Sequence, residues 1–204
     1  IRKDSLELTV RGFIRNEEPS YYYRHFHSTT AWWDKDLQKV FRTRAEGTLT
    51  WRKTKLTAAF ETIQNHTFWQ QIQQQQNTED SEMASSNLQA TMRYAISPMQ
   101  ATHNIQLLQL SLNQDFAFGP LNWENRLTLQ KTSDDKVLPL PLFNAWSNLY
   151  LLFRIAKVLR TEIGADVMYF TKYYAPAYSP IIGGYAMQDE AWRTKLGNYP
   201  WLSV

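Results

Sequence analysis

Strict two-residue alternation, sustained over stretches of ten or more residues, limits what this 204-residue chain can fold into more than any other feature. The clearest case runs from Trp146 to Tyr174. Leu149, Leu151, Phe153 and Ile155 fall on one side, and Asn148, Tyr150, Leu152, Arg154 and Ala156 on the other, because successive Cβ atoms of a strand point to opposite faces. After a turn expected at Val158 to Arg160, Ile163, Ala165, Val167 and Tyr169 oppose Glu162, Gly164, Asp166, Met168 and Lys172. In a soluble hairpin the apolar side meets a core; in an outer-membrane barrel it meets lipid while the charged side faces the lumen. Strand length, turn spacing and aromatic placement decide between the two.

The same alternation recurs along the chain. Residues 5–14, SLELTVRGFI, set Leu6, Leu8 and Val10 against Glu7, Thr9 and Arg11. Phe41, Thr43, Ala45, Gly47, Leu49 and Trp51 alternate with Arg42, Arg44, Glu46, Thr48 and Thr50. That length suits a tilted membrane crossing better than a soluble sheet. A short turn at Lys53 and Thr54 leads to Leu56, Ala58, Phe60 and Thr62, opposed by Thr57, Ala59, Glu61 and Ile63. Leu108, Leu110, Leu112, Gln114, Phe116 and Phe118 form the next strand, turned by Gly119-Pro120, and Leu121, Trp123, Asn125, Leu127 and Leu129 its partner. Between these lies a polar tract, 70–86, with the run Gln73 to Gln76, read as a solvated loop. Leu88, Ala90, Met92 and Tyr94 then alternate with Gln89, Thr91 and Arg93 in an extra strand expected to end at Ser97-Pro98.

The connections alternate too: tight turns near 53, 119 and 159 separate long links at 15–37, 66–103, 132–145 and 173–198. Outer-membrane barrels have this asymmetry, with short turns on one edge and long loops on the other. Composition agrees. No run of eighteen apolar residues exists, and a mean hydropathy of -0.50 fits strands that alternate lipid-facing with lumen-facing residues. Net charge of +3 carries no nucleic-acid footprint, and the absence of cysteine excludes disulfides and thiolate zinc sites. The 8 Trp, 11 Tyr and 10 Phe suit β structure and interfacial girdles.

The candidate functional residues are therefore two faces. Arg42, Arg44, Glu46, Glu61, Glu124, Arg126, Arg154, Glu162 and Asp166 mix both signs of charge, as a water-filled pore lining does. Leu127, Leu129, Leu149, Leu151, Phe153, Ile163 and Val167 are the lipid-facing candidates. His25 and His27 with Asp34 and Asp36 could hold a metal, but beside Trp32 and Trp33 a surface aromatic cluster is the better reading. No G-x-S-x-G nucleophile or phosphate-binding loop occurs, so neither enzyme activity nor a cofactor is expected.

Three segments carry a family resemblance: FNAWSNLYLLFRIAKVLRTEIGADVMYFTKYYAPAYSP, SLNQDFAFGPLNWENRLTLQ and the closing KLGNYPWLSV. HSTTAWWDKD and VFRTRAEGTL share it, and the most specific part spans Ile155 to Pro180. In these the chain resembles the Putative porin family of Bacteroides-type bacteria. The resemblance implies a passive-diffusion barrel of the outer membrane, longer than this chain, which is read as one β-barrel fragment cut at both ends. It departs from the family between Trp69 and Asn104, where the glutamine-rich stretch replaces a plainer loop. The expected fold is all-β, an antiparallel meander of roughly eight to ten strands forming a barrel or part of its wall. The expected partners are outer-membrane lipid and small polar solutes or ions, with self-association into a homo-oligomer left open. The rival readings are a plugged barrel whose aromatic loops, around 21–33 and 173–178, grip a glycan or protein, and, more remotely, a soluble lipocalin-like carrier with its apolar face inside.

Overall fold

The computed structural model describes residues 6–28, 31–73 and 94–204. In chain order its elements are β1 (Leu6–Glu17), α1 (Tyr21–Arg24), β2 (His25–His27), β3 (Trp32–Asp34), β4 (Val40–Trp51), β5 (Thr54–Gln64), β6 (Thr67–Gln73) and β7 (Tyr94–Gln100). Then follow β8 (Ile105–Phe118), β9 (Leu121–Thr132), β10 (Phe143–Ile155), β11 (Leu159–Phe170), β12 (Ala177–Ser179), β13 (Gly184–Ala186) and β14 (Trp201–Ser203). Eight of them form one antiparallel sheet in the order β1-β4-β5-β8-β9-β10-β11-β14. The chain is thus all-β, a meander in which each long strand pairs with the next long strand in sequence. No ladder among the described residues joins the two outer strands, β1 and β14.

Register aligns the alternating patterns. In antiparallel pairs, residues directly opposite share a face. One row runs Thr9, Thr48, Thr57, Ser111, Thr128, Asn144, each opposite the next. The adjacent row on the other face runs Leu8, Leu49, Leu56, Leu112, Leu127, Ala145, Tyr169. A slip of one residue in any ladder would mix the two faces.

The tight turns lie at 52–53, 119–120 and 156–158. Gly119, at φ 63°, takes the first central position between the paired Phe118 and Leu121, where a primed hairpin turn needs a left-handed residue. The third turn comes about two residues earlier than its sequence suggests. Pairing Leu151 with Ile163 and Ile155 with Leu159 leaves only 156–158 to reverse the chain. Ala156 and Lys157 therefore adopt φ of 51° and 62° without a glycine or asparagine to advertise the turn. Likewise Arg52, at φ 55°, and Lys53 turn the chain between Trp51 and Thr54, so Thr54 belongs to the strand.

All links between long strands at the opposite edge are long, at 18–39, 65–104, 133–142 and 171–200. Three carry their own two-stranded ladders: β2–β3, β6–β7 and β12–β13. The strand stop expected at Ser97-Pro98 does not occur, because Ser97 and Pro98 lie inside β7, opposite Gln70 and Trp69. Pro98 is tolerated because this ladder has only two strands, leaving an edge that needs no donor. The rest of the expected extra strand, 88–93, and most of the polar tract lie outside the described residues.

The links interlock. Gln71 N donates to Met187 O at 2.9 Å and Met187 N to Trp69 O at 2.6 Å. Gln100 Nε2 reaches Gln38 O at 2.8 Å, while His103 pairs with Asp134 at 2.9 Å and Lys136 with Glu190 at 2.6 Å. Beneath them Ile63, Ala101 and Ile105 form a small buried cluster with Val40, Val137 and Leu138 packed against it. Ile63 and Ile105 stand opposite each other on the face of Arg42. Ala101 of the second long link and Val137 and Leu138 of the third therefore fold over the polar face at this end.

A close approach in the β10–β11 ladder yields a first prediction. A Cβ on Gly164 would lie 2.5 Å from Tyr150 Cβ and 2.7 Å from Leu149 O, whereas one on Gly47 would meet nothing within 4 Å. Gly164→Val should lower the urea midpoint of unfolding by an amount equivalent to about 2 kcal/mol, the usual size of overpacking, while Gly47→Ala should leave it nearly unchanged.

Candidate functional site: a two-faced sheet

All nine charged candidates share one face. Arg44 lies opposite Glu61, and Arg42 and Glu46 flank it on β4 at the same parity. Glu124 lies opposite Asn148, which lies opposite Asp166. Arg126 faces Trp146, Glu162 faces Leu152, and Arg154 faces Arg160. All seven apolar candidates are on the other face, with Leu127 opposite Ala145, Leu129 opposite Phe143, Leu149 opposite Trp123, and Leu151 opposite Ile163. Phe153 faces Thr161 and Val167 faces Ser147 through β10.

Only part of the charged set comes together. Glu61, its side chain 4% exposed, accepts from Arg42 Nε at 2.8 Å and from Arg44 Nη1 at 3.1 Å. Arg44 also donates to Glu46 Oε2 at 2.9 Å and to Gln109 Oε1 at 3.3 Å. One buried carboxylate is thus clamped by two guanidinium groups, and Glu46 and Gln109 take up spare donors of Arg44, the arrangement in which a desolvated ion pair can be sustained. Further along, Tyr150 donates to Glu124 at 3.0 Å and the Arg126 guanidinium lies 4.8 Å from the Trp146 ring centre. Arg154, Glu162 and Asp166 sit on the same face outside the Glu61 network. Between the charges runs the hydroxyl row, with Thr48 and Thr57 in contact at 3.2 Å and Ser111 and Thr128 at 3.3 Å. Gln109, Tyr150, Trp146, Arg11 and Arg160 belong to this face and are missing from the residues singled out by charge patterning. Their parity in the alternating strands was the signal that could have found them.

Among the described residues, no protein layer covers the apolar face. Leu8 is 69% exposed, Ile163 59% and Leu149 48%; Leu127 and Val167 are half-buried among their neighbours. Across seven strands at about 4.8 Å spacing this surface is on the order of 1,000 Å², beyond the few hundred Å² that soluble monomers leave open. Aromatic rings sit towards both ends of it. Trp51, Phe116, Phe118, Trp123 and Phe153 lie near the tight turns, and Phe41, Phe143 and Tyr169 near the links. Trp51 and Phe41 are ten residues apart, about 33 Å along the strand and about 23 Å along the normal at a tilt of about 45°. The polar groups on this face satisfy one another: Trp123 Nε1 donates to Ser147 Oγ at 2.8 Å, which donates to Asn125 Oδ1 at 2.9 Å.

The histidine candidates are placed in the first long link. His25 Nδ1 meets Asp34 Oδ1 at 2.5 Å across the β2–β3 ladder, and the His27 ring packs edge-on against Trp32 at 5.5 Å. Asp36 lies past the end of β3. Among the described residues, no group of three or more His, Cys, Asp or Glu is arranged to hold a metal ion.

A meander of long antiparallel strands, polar on one face and uncovered grease on the other, with tight turns at one edge and elaborate links at the other, has the features of the wall of a transmembrane β-barrel. A family model described as Putative porin matches residues 1–204, and the chain belongs to that family. Membership points to a porin-like, non-enzymatic role at the outer membrane. No curated protein and no solved structure matches the chain.

The network and its surroundings can be tested separately. Glu61→Ala removes the carboxylate shared by Arg42 and Arg44, leaving the half-buried Arg42 to water and Arg44 to Glu46 and Gln109, and should cost about 2 kcal/mol in equilibrium unfolding of the lipid-embedded protein. His66, half-buried between β5 and β6, has its pKa held below the ordinary value, first by burial and then by the Arg42 charge, against a smaller opposing effect of Glu61. The unfolded chain then takes up a proton at higher pH than the folded one, so stability falls as pH drops below the ordinary histidine value. A pH series of unfolding midpoints should show this decline, and His66→Phe should flatten it.

Proposed function

We propose that the polar face lines a water-filled pore through which small polar solutes or ions diffuse passively across the outer membrane, and that the apolar face meets lipid. The observation that carries this reading is that all nine charged candidates fall on one face of seven strands and the large exposed apolar side chains on the other, which no described residue covers. In water that surface would drive association; in a bilayer it is the solvated side. A lipocalin-like carrier would instead bury it inside.

The rest of the arrangement supports the same reading. The two aromatic groups are separated by about the 25 Å height of an outer-membrane apolar band. Guanidinium, carboxylate and hydroxyl groups on one face offer a passing solute donors and acceptors that replace lost hydration, with selectivity set by charge and width. The link segments around Ala101 and Val137–Leu138, folded over the polar face, would narrow the pore at that end, and the sheet would be the wall of a larger, even-stranded barrel. The tight turns would then face the periplasm and the links the exterior.

Single-channel recording of the full-length protein in planar bilayers tests the proposal. Stable open steps are expected. Replacing Arg126 and Arg154 together by Ala, two cations outside the Glu61 clamp, should move the reversal potential towards cation preference. Insertion without conductance would sink the pore reading.

A further inference from the structure

The interlocked links hold a feature that diffusion through a pore does not use. Tyr22, Phe26, Trp33, Trp69, Ile181 and Ile182 line a cleft of about 270 Å³. It is assembled from three different links: α1, β2 and β3 supply three rings, β6 supplies Trp69, and the turn between β12 and β13 supplies the two isoleucines. We propose that this cleft is a binding site for one neutral pyranose ring of a glycan.

The walls are fixed before any ligand arrives. Trp33 is 6% exposed, and its Nε1 donates to Tyr22 O at 2.9 Å. Phe26 stacks on it with ring centres 4.6 Å apart and planes 17° from parallel. Trp69 meets Trp33 at 5.1 Å and 61°, and is backed by Tyr23, stacked at 4.3 Å and 15°. The Trp69 carbonyl is tied to Met187 N, which holds the fourth link against the second. Such a site loses little freedom on binding, which is what makes a small contact area useful.

The lining selects the ligand class. None of the six residues is charged, so an ionic group would lose its hydration there without a partner. The volume is at the lower end for ligand sites and suits a single ring. The π faces carry negative charge and attract the weakly positive C–H face of a sugar ring, while its rim hydroxyls stay with water. Tyr22 and Trp69, apolar in body and polar at one end, match a ligand of the same double character, while Trp33 keeps its N–H on the Tyr22 carbonyl. Further exposed rings stand on the same elements: Tyr21 at 65%, Trp32 at 73%, and Tyr178 and Tyr185 at 60% and 67%. A glycan longer than one ring would have these to extend over.

The inference does not depend on conduction, and its test is a binding measurement. Calorimetric titration would use the full-length protein in a detergent without a sugar headgroup, with maltohexaose, cellohexaose, mannohexaose and xylohexaose as probes. At least one should bind saturably, and Tyr22→Ala should weaken it by about tenfold, the loss of one stacking contact. Tyr22 is 64% exposed, so this change leaves the fold intact; Trp123→Phe, on the apolar face, should bind as the unaltered protein does. No binding by any of the four, binding unaffected by Tyr22→Ala, or a cleft that takes indole while rejecting every sugar would each overturn the proposal. A protein that binds but does not conduct would sink the pore and keep the cleft.

Discussion

Seven antiparallel ladders in matched register hold this structure together, because every property of either face depends on strands keeping the same parity. The side-chain period of a strand is two, so a one-residue slip between β4 and β5 would carry Glu61 to the greasy side and bring Phe60 among the arginines. Both placements are costly, one by stranding a carboxylate and two guanidinium groups, the other by breaking the apolar surface. Alternation within each strand and charge pairing between strands thus enforce the same register.

The Glu61 clamp shows how the two levels combine. Arg42 and Arg44 lie two residues apart on β4, and Glu61 is opposite Arg44 on β5, so the ladder alone brings the three heads together. The links then cover the site from one end, with Ile63 and Ile105 sealed by Ala101, Val137 and Leu138. Covering strengthens the pairs and also raises the penalty for losing any one of them.

Much of this is legible in the alternation. The long strands, the assignment of all sixteen candidate residues to two opposed faces, and the contrast between short and long connections all follow from period-two patterning and from gaps in it. The turn at 156–158 is displaced from its expected position because Ala156 and Lys157 carry no turn chemistry; pairing on either side forces them into left-handed backbone. The ladders β2–β3 and β12–β13 inside the links leave no such trace, because three-residue strands are too short to show a period. The aromatic cleft is hidden for another reason: Phe26, Trp69 and Ile181 are far apart in sequence, and no local pattern joins them.

By itself, then, the sequence determined which residues lie on which face, because a strand's geometry converts parity directly into direction. It also determined where the chain could reverse cheaply, through Gly119-Pro120. Tertiary structure decided which charges meet, since Arg44 finds Gln109 only through a strand 65 residues away in the chain. It decided as well that the links fold over the polar face and clasp one another. Those contacts depend on the order in which strands stack and on how far each link can reach, and neither is written in the spacing of residues along a single strand.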